Sequence, residues 1–240
     1  MNNNLDIVVS GDTELIQKAY EYCCFNFSHN EIIEELKKDD EIKKQLCIIN
    51  LKSVNNQKEA DLLVSNLINK GGPIREVTSM KINELINKEE YVQFFQTTGT
   101  IDIFIKAIND VNPNVSRNIV EFINLIENKN YLKSQIYKKI FTLFDELEDL
   151  NKFKKLKSHV INKKSFNLYW SLETIIQILP GLDLDENLEE ILLKASEYEE
   201  YPIREKAAKI LSGLNKKTNT IIKLIETLKE DCNMYVRRYL

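Results

Sequence analysis

A helix-like signal that recurs about every 33 residues constrains the fold of this 240-residue chain more than any other feature. Only five of its 33 basic residues are arginine, and each arginine follows an Ile or Val by one or two places. Arg204 and Arg237 lie 33 residues apart, Trp170 and Arg204 lie 34 apart, and Tyr137 and Trp170 lie 33 apart. A fixed period of this size is typical of proteins that stack one supersecondary unit many times.

Apolar residues within each period follow helical spacing rather than strand alternation. One face of the segment after Arg204 carries Ala207, Ala208, Leu211 and Leu214. Prolines 73, 113 and 202 mark helix starts. Between consecutive marks we expect one further amphipathic helix, as at residues 186–199 and 218–230. The unit is therefore predicted to be two antiparallel helices joined by tight turns.

The stretch "PIREKAAKILSGL…TIIKLIETLKEDCNMYVRRYL" resembles HEAT repeats, in which a Val/Ile-Arg pair opens the second helix. The resemblance implies an all-α, right-handed α-solenoid of antiparallel helix pairs. It implies one domain over residues 1–240, with divergent helices in 1–70 and HEAT-like repeats in 70–240. By the same resemblance, structural repeat positions fall on Arg75, Arg117 (offset by one residue), Arg204 and Arg237.

Arginine at these places has a physical rationale. Its planar fork can bind a carboxylate and the carbonyls of an adjacent turn together, which lysine cannot do as well. Asp110 and Asp231 precede two of the marks and are candidate carboxylates. We therefore expect the repeat arginines to join neighbouring units rather than to contact a ligand.

The helix around the single tryptophan carries a polar stripe opposite its Leu/Ile stripe. The stripe consists of Asn167, Trp170, Glu173, Thr174 and Gln177. An aromatic side chain on a polar face is a frequent interface anchor, so the stripe is a candidate partner-binding surface. The alternative is that Trp170 packs between neighbouring units.

Composition and motifs disfavour several classes of function. The net charge of −4 provides no general attraction for nucleic acid. No catalytic or nucleotide-binding motif occurs, and no cofactor is expected. The cysteines and histidines are too dispersed along the chain to form a metal site. They are Cys23, Cys24, Cys47, Cys232, His29 and His159. The cysteines are interpreted as buried, reduced thiols. No membrane span or signal peptide is evident, so a cytoplasmic location is predicted.

Two local segments have alternative interpretations. The lysine-rich segment 152–164 is a solvated face or a contact for phosphates or an acidic partner. The segment 20–27, "YEYCCFNF", is a buried N-terminal helix face or, less simply, a reactive thiol pair.

The function predicted from these features is a non-catalytic repeat scaffold that binds a protein or peptide on its concave face. The alternative is a HEAT-like DNA-binding enzyme of the alkylpurine DNA glycosylase type, with Trp170, Glu173 and Arg204 as its candidate set. The short last segment, 233–240, predicts an apolar end surface. That surface would be small, or would be used in self-association or in end-on docking of a partner.

Overall fold

The structure is a computed structural model that describes residue 21 and residues 27–151, 158–181 and 183–240. The segment 20–27 (apart from residues 21 and 27) and residues 152–157 of the lysine-rich segment lie outside the described residues. The α-helices are α1 (His29–Leu36), α2 (Glu41–Asn50), α3 (Gln57–Val64), α4 (Gly72–Ile86), α5 (Glu89–Val92), α6 (Thr98–Ala107), α7 (Pro113–Phe122), α8 (Lys129–Asn151), α9 (Ser158–Ile178), α10 (Glu186–Ser196), α11 (Tyr201–Gly213), α12 (Asn219–Lys229) and α13 (Met234–Arg237). Short 3₁₀ turns are Ser65–Leu67, Gln93–Phe95, Ile123–Leu125 and Leu179–Gly181.

The prediction of an all-α chain is confirmed, since the described residues contain helices and turns and no strand. The three prolines stand at the first or second position of α4, α7 and α11, as predicted. Proline suits these positions because its missing N–H would have no partner inside the helix. Polar side chains cap other helices, as where Asp185 accepts from the Leu188 N–H at 2.8 Å.

The chain forms two compact units, Met1–Ala107 and Ile108–Leu240. In the first unit, α2 packs against α1 and α4, and α3 packs against α6. The prediction of a single domain over 1–240 stays a prediction.

In the second unit the helices form two rows. The first row is α8, α10 and α12, and the second row is α9, α11 and α13. Each helix contacts the next member of its own row, and α8 with α9, α10 with α11 and α12 with α13 contact each other as pairs. This arrangement is the stack of helix pairs that the period predicted for this part of the chain.

The apolar faces point inward as predicted for α11, where Ala207, Ala208 and Leu211 have no exposed surface. In α12, Ile221, Leu224, Ile225 and Leu228 are buried, whereas Ile222 is 43% exposed. Burial of these faces between neighbouring helices supplies the core of the stack.

One part of the predicted phasing is wrong. Tyr137 lies in α8 and Trp170 lies in α9, and these two helices pack directly against each other. No further described helix separates them, so their spacing of 33 residues joins the two halves of one pair. The cause is length: α8 has 23 residues and α9 has 21, about twice the length of α10 and α12.

Candidate functional site

The second row of helices carries partly accessible aromatic side chains, in the middle of α9 and near the starts of α11 and α13. Phe166 and Tyr169 of α9 have nearly parallel rings, with an angle of 6° and centroids 6.5 Å apart. Tyr201 of α11 and Tyr235 of α13 stack across the two helices at 6.1 Å and are 41% and 46% exposed. We call these four residues the aromatic strip.

A groove lies between the middle of α9 and the start of α11, and two residues of this strip line it. Its volume is about 340 Å³. Its lining includes Ser165, Phe166, Tyr169, Glu200, Pro202 and Ile203. The Ser165 hydroxyl donates to Glu200 Oε1 at 3.2 Å across the groove. We call this feature the α9–α11 groove.

The predicted polar stripe on α9 is only partly accessible. Asn167 is 6% exposed and Thr174 is fully buried, whereas Trp170, Glu173 and Gln177 are half-buried. The reason is that α9 packs against three helices, α7, α8 and α11. The predicted pattern divided α9 into one buried face and one exposed face, and three neighbours bury more than one face. Asn167 and Thr174 therefore do not present a surface to a partner.

Trp170 is held by its own helix. Its ring meets Phe166 edge-on at 5.9 Å and Tyr169 at 5.4 Å. Its Nε1 is buried and has no hydrogen-bond partner among the described residues, and the same holds for Asn167 Oδ1. A buried polar atom without a hydrogen-bond partner lowers the stability of the folded state. α9 contains two such atoms three residues apart, the donor Trp170 Nε1 and the acceptor Asn167 Oδ1.

Glu173 belongs to an ion pair between α9 and α11. Lys206 Nζ lies 2.5 Å from its Oε2, and Lys209 Nζ lies 3.6 Å from its Oε1. Lys206 also stands 4.3 Å from the centroid of the Tyr169 ring. Burial alone would raise the pKa of Glu173, but the hydrogen bond and charge of Lys206, helped by Lys209, lower it below its usual value. The carboxylate is thus ionised and engaged inside the protein.

Arg204 connects one helix pair to the next. Its Nε and Nη2 donate to the two carboxylate oxygens of Asp231, at 2.6 and 3.1 Å. Its Nη1 donates to the carbonyls of Tyr198 and Glu199 at 2.8 and 2.7 Å. One side chain therefore binds the turn before its own helix and the turn before α13 at once, which uses the whole fork.

Two other repeat arginines show part of this pattern. Arg75 donates to the carbonyl of Lys70, and Arg237 donates to the carbonyl of Asp231. In each case the acceptor is five or six residues earlier, in the turn that precedes the helix. These bonds satisfy carbonyl groups that a helix end or turn leaves without a backbone partner.

Arg117 differs, because it is exposed and makes no ion pair or hydrogen bond with the described residues. The register explains the difference. The third residue of α4, α7, α11 and α13 is a buried Ile or Val: Ile74, Val115, Ile203 and Val236. The fourth residue is Arg75, Ser116, Arg204 and Arg237, so Arg117 comes one residue too late. One residue turns the side chain about 100° around the helix, away from the preceding turn.

A six-residue turn motif recurs before α7 and α13, with the sequences "DVNPNV" and "DCNMYV". In the first, Asp110 accepts from the Asn112 N–H at 2.8 Å, and in the second Asp231 accepts from the Asn233 N–H at 2.7 Å. Each Asn then caps its helix, accepting from the N–H two residues later. The two turns have the same local geometry, which supports their predicted equivalence as repeat positions.

The C-terminal segment packs on α11 as a short helix. Val236 is fully buried, and Arg238 donates to Glu205 Oε1 at 2.6 Å while lying 5.1 Å from the centroid of the Tyr235 ring. Met234 remains 63% exposed. Apolar exposure at this end is therefore concentrated in a few residues beside the aromatic strip.

The glycosylase alternative had Trp170, Glu173 and Arg204 as its candidate set. Glu173 is paired with Lys206, and Arg204 is committed to Asp231 and two carbonyls.

In the described part of the chain, no group of three or more His, Cys, Asp or Glu residues is placed to hold a metal ion. None of the described helices has the length and apolarity needed to cross a bilayer.

The sequence analysis missed the aromatic strip and Glu200. A signal was available, because Phe166, Tyr201 and Tyr235 are separated by 35 and 34 residues, close to the repeat period. The repeat position was instead assigned to Arg204 and Arg237, which lie three places after Tyr201 and two places after Tyr235.

No family model and no curated protein matches this sequence. Solved structures of designed repeat proteins are similar in fold. A computationally designed armadillo repeat protein for modular peptide recognition is 14% identical, with 88% of this chain and 96% of that chain covered and a TM-score of 0.51. A designed armadillo repeat protein in complex with the peptide (KR)4 is 14% identical, with coverage of 89% and 96% and a TM-score of 0.48. The all-helical content and the similarity to the first of these structures show a helical repeat-solenoid fold, and the more specific HEAT assignment stays a prediction.

Proposed function

We propose that this protein is a non-catalytic helical-repeat scaffold that binds a peptide or a peptide-like segment of a protein on the surface of its second row of helices. The observation that carries the proposal is the aromatic strip, in which Tyr201 and Tyr235 remain 41% and 46% exposed although they stack on each other. Aromatic side chains that are held in place yet exposed are typical of interface anchors.

The charges beside the strip strengthen the case for a binding surface over a reactive one. Glu173 is paired with Lys206, and Glu205 with Arg238, so these carboxylates have internal partners. The rings are in turn fixed by those cations, with Lys206 over Tyr169 and Arg238 over Tyr235. A partner therefore meets a surface that is already ordered, which lowers the entropy lost on binding.

The fold is compatible with this use, because a designed armadillo repeat protein of this fold was made for modular peptide recognition. Of the predicted stripe, we retain Trp170, Glu173 and Gln177 as the candidate contacts and add the aromatic strip. Cys232 forms no disulfide with a described cysteine, which supports the cytoplasm as the proposed location.

A random peptide library displayed on phage tests the proposal with the full chain as bait. We expect bound peptides whose affinity falls on the order of tenfold in Tyr201→Ala and in Tyr235→Ala, measured by fluorescence anisotropy. Met80→Ala is the matched control, because Met80 is 57% exposed and lies in the first unit. Failure to select any peptide, or wild-type affinity in both tyrosine variants, would overturn the proposal.

A further inference from the structure

The α9–α11 groove combines a flat apolar wall with a single carboxylate. The wall is formed by the parallel rings of Phe166 and Tyr169, and Pro202 and Ile203 complete the apolar lining. The volume of about 340 Å³ is close to the lower end of small-molecule sites, roughly 300 Å³, so it suits one long side chain.

Among the described residues that line the groove, Glu200 is the one with an acidic side chain. It is the N-cap residue of α11, yet its side chain makes no capping hydrogen bond to that helix. Instead its carboxylate accepts from the Ser165 hydroxyl at 3.2 Å across the groove. Among the described residues it has no cationic partner, so its charge is available to a ligand.

Three cations of α9 and α11 are paired with carboxylates outside the groove lining. Lys206 is paired with Glu173 at 2.5 Å, Lys164 with Glu146 at 2.6 Å, and Arg204 with Asp231 at 2.6 Å. The uncompensated charge among the groove-lining side chains is therefore negative.

We propose that the α9–α11 groove is a subsite for one arginine side chain of the bound partner, with the guanidinium on Glu200 and the stem along Phe166 and Tyr169. A guanidinium is planar, binds a carboxylate through two parallel bonds and stacks on aromatic rings, whereas an ammonium does neither as well. The methylene stem of arginine covers apolar surface while its charged end reaches a polar group. The inference rests on the proposed function and names a chemical feature of its partner.

The same displayed library, selected in parallel on three forms of the full chain, tests the inference. The forms are the wild type, Glu200→Gln and Glu197→Gln. Glutamine at 200 keeps an oxygen for the Ser165 hydroxyl and removes the charge. Glu197 is an exposed glutamate of the same connection that does not line the groove, so its variant is a control for charge alone.

We expect wild-type and Glu197→Gln selections to be enriched in arginine at one peptide position, and Glu200→Gln to lose that enrichment. A selected peptide should bind Glu200→Gln on the order of tenfold more weakly than wild type. Melting temperatures of the three forms establish that all are folded.

Other outcomes overturn the inference. Peptides selected without arginine enrichment, enrichment unchanged in Glu200→Gln, or equal enrichment of lysine and arginine would each refute an arginine subsite while leaving the proposed scaffold function intact. Selection of no peptide by any form would refute both.

Discussion

Arg204 and Asp231 form a two-bond ion pair that joins the turn before α11 to the turn before α13, with N–O distances of 2.6 and 3.1 Å. Their side chains are 14% and 7% exposed. The pair is thus shielded from water and fixed by further bonds to backbone carbonyls and to the Asn233 N–H. Every bond of this group therefore links the helix pair of α11 to the turn before α13 or fixes one of the two turns.

Arg204→Lys should lower the free energy of unfolding by about 1 kcal/mol, because one ammonium cannot replace the fork and its carbonyl bonds. Urea denaturation of the two forms measures the difference. Arg117→Lys is the matched control and should change stability little, since Arg117 is exposed and makes no ion pair or hydrogen bond with the described residues. A large loss of peptide affinity in Arg204→Lys, with unchanged stability, would show that this arginine belongs to the binding surface.

The contribution of Asp231 should depend on pH. The hydrogen bond from Arg204 holds the pKa of the Asp231 carboxyl below its usual value, against partial burial, which alone would raise it. A lowered pKa stabilises the folded state only while the group is ionised, so the effect is complete well above about pH 4 and fades as the pH falls through the folded pKa. We expect the stability difference between wild type and Asp231→Asn to be constant from about pH 7 to 5 and to shrink below about pH 4. A difference that grows with acidity would contradict this assignment.

Lys206 and Lys209 should differ in their effect on stability although both contact Glu173. Lys206→Gln leaves a half-buried carboxylate without its main partner and should cost about 2–3 kcal/mol. Lys209 is 35% exposed and lies 3.6 Å away, so Lys209→Gln should change stability by less than about 0.5 kcal/mol. Thermal unfolding of the two single variants checks the order, and equal losses would mean that the short Lys206 contact is not the dominant one.

Asn167 provides a test of the buried part of the predicted stripe. Its Oδ1 is buried without a partner, so Asn167→Leu should be neutral or raise stability by up to about 1 kcal/mol. Peptide affinity should not change, because the residue is only 6% exposed. Asn187→Leu, at an exposed position of α10, is the control. Loss of affinity in Asn167→Leu without loss of stability would return this residue to the binding surface.

Deleting residues 233–240 should loosen α11 and α12. The deletion removes the buried Val236 and the Arg238 bond to Glu205, and it uncovers the α11 surface on which α13 packs. Hydrogen exchange should show faster exchange in residues 201–230 and little change in α8. Met234→Ala, at a residue 63% exposed, is the control and should leave the exchange pattern unaltered. Unchanged protection after the deletion would mean that the tail does not stabilise the last pair.

The linear pattern was sufficient to predict the helical content, the helix starts at Pro73, Pro113 and Pro202, and the stacking of helix pairs in the second unit, although not the phasing of α8 and α9. These features depend on local chemistry and on spacing along one helix, both of which are present in the linear pattern. The buried residue at the third position of four helices and the arginine or serine after it follow from the same local register.

Which side chains remain accessible depends on how the helices pack, and this was not visible in the linear pattern. Asn167 and Thr174 shared a polar stripe with Trp170, yet neighbouring helices buried both. Tyr201 and Tyr235 met only when α11 and α13 packed together, and Glu200 faced Ser165 only across a groove between two helices. Periodicity gives the position of a residue around the axis of its own helix. Whether its side chain is exposed, and which side chains of other helices it contacts, depends on where the neighbouring helices pack.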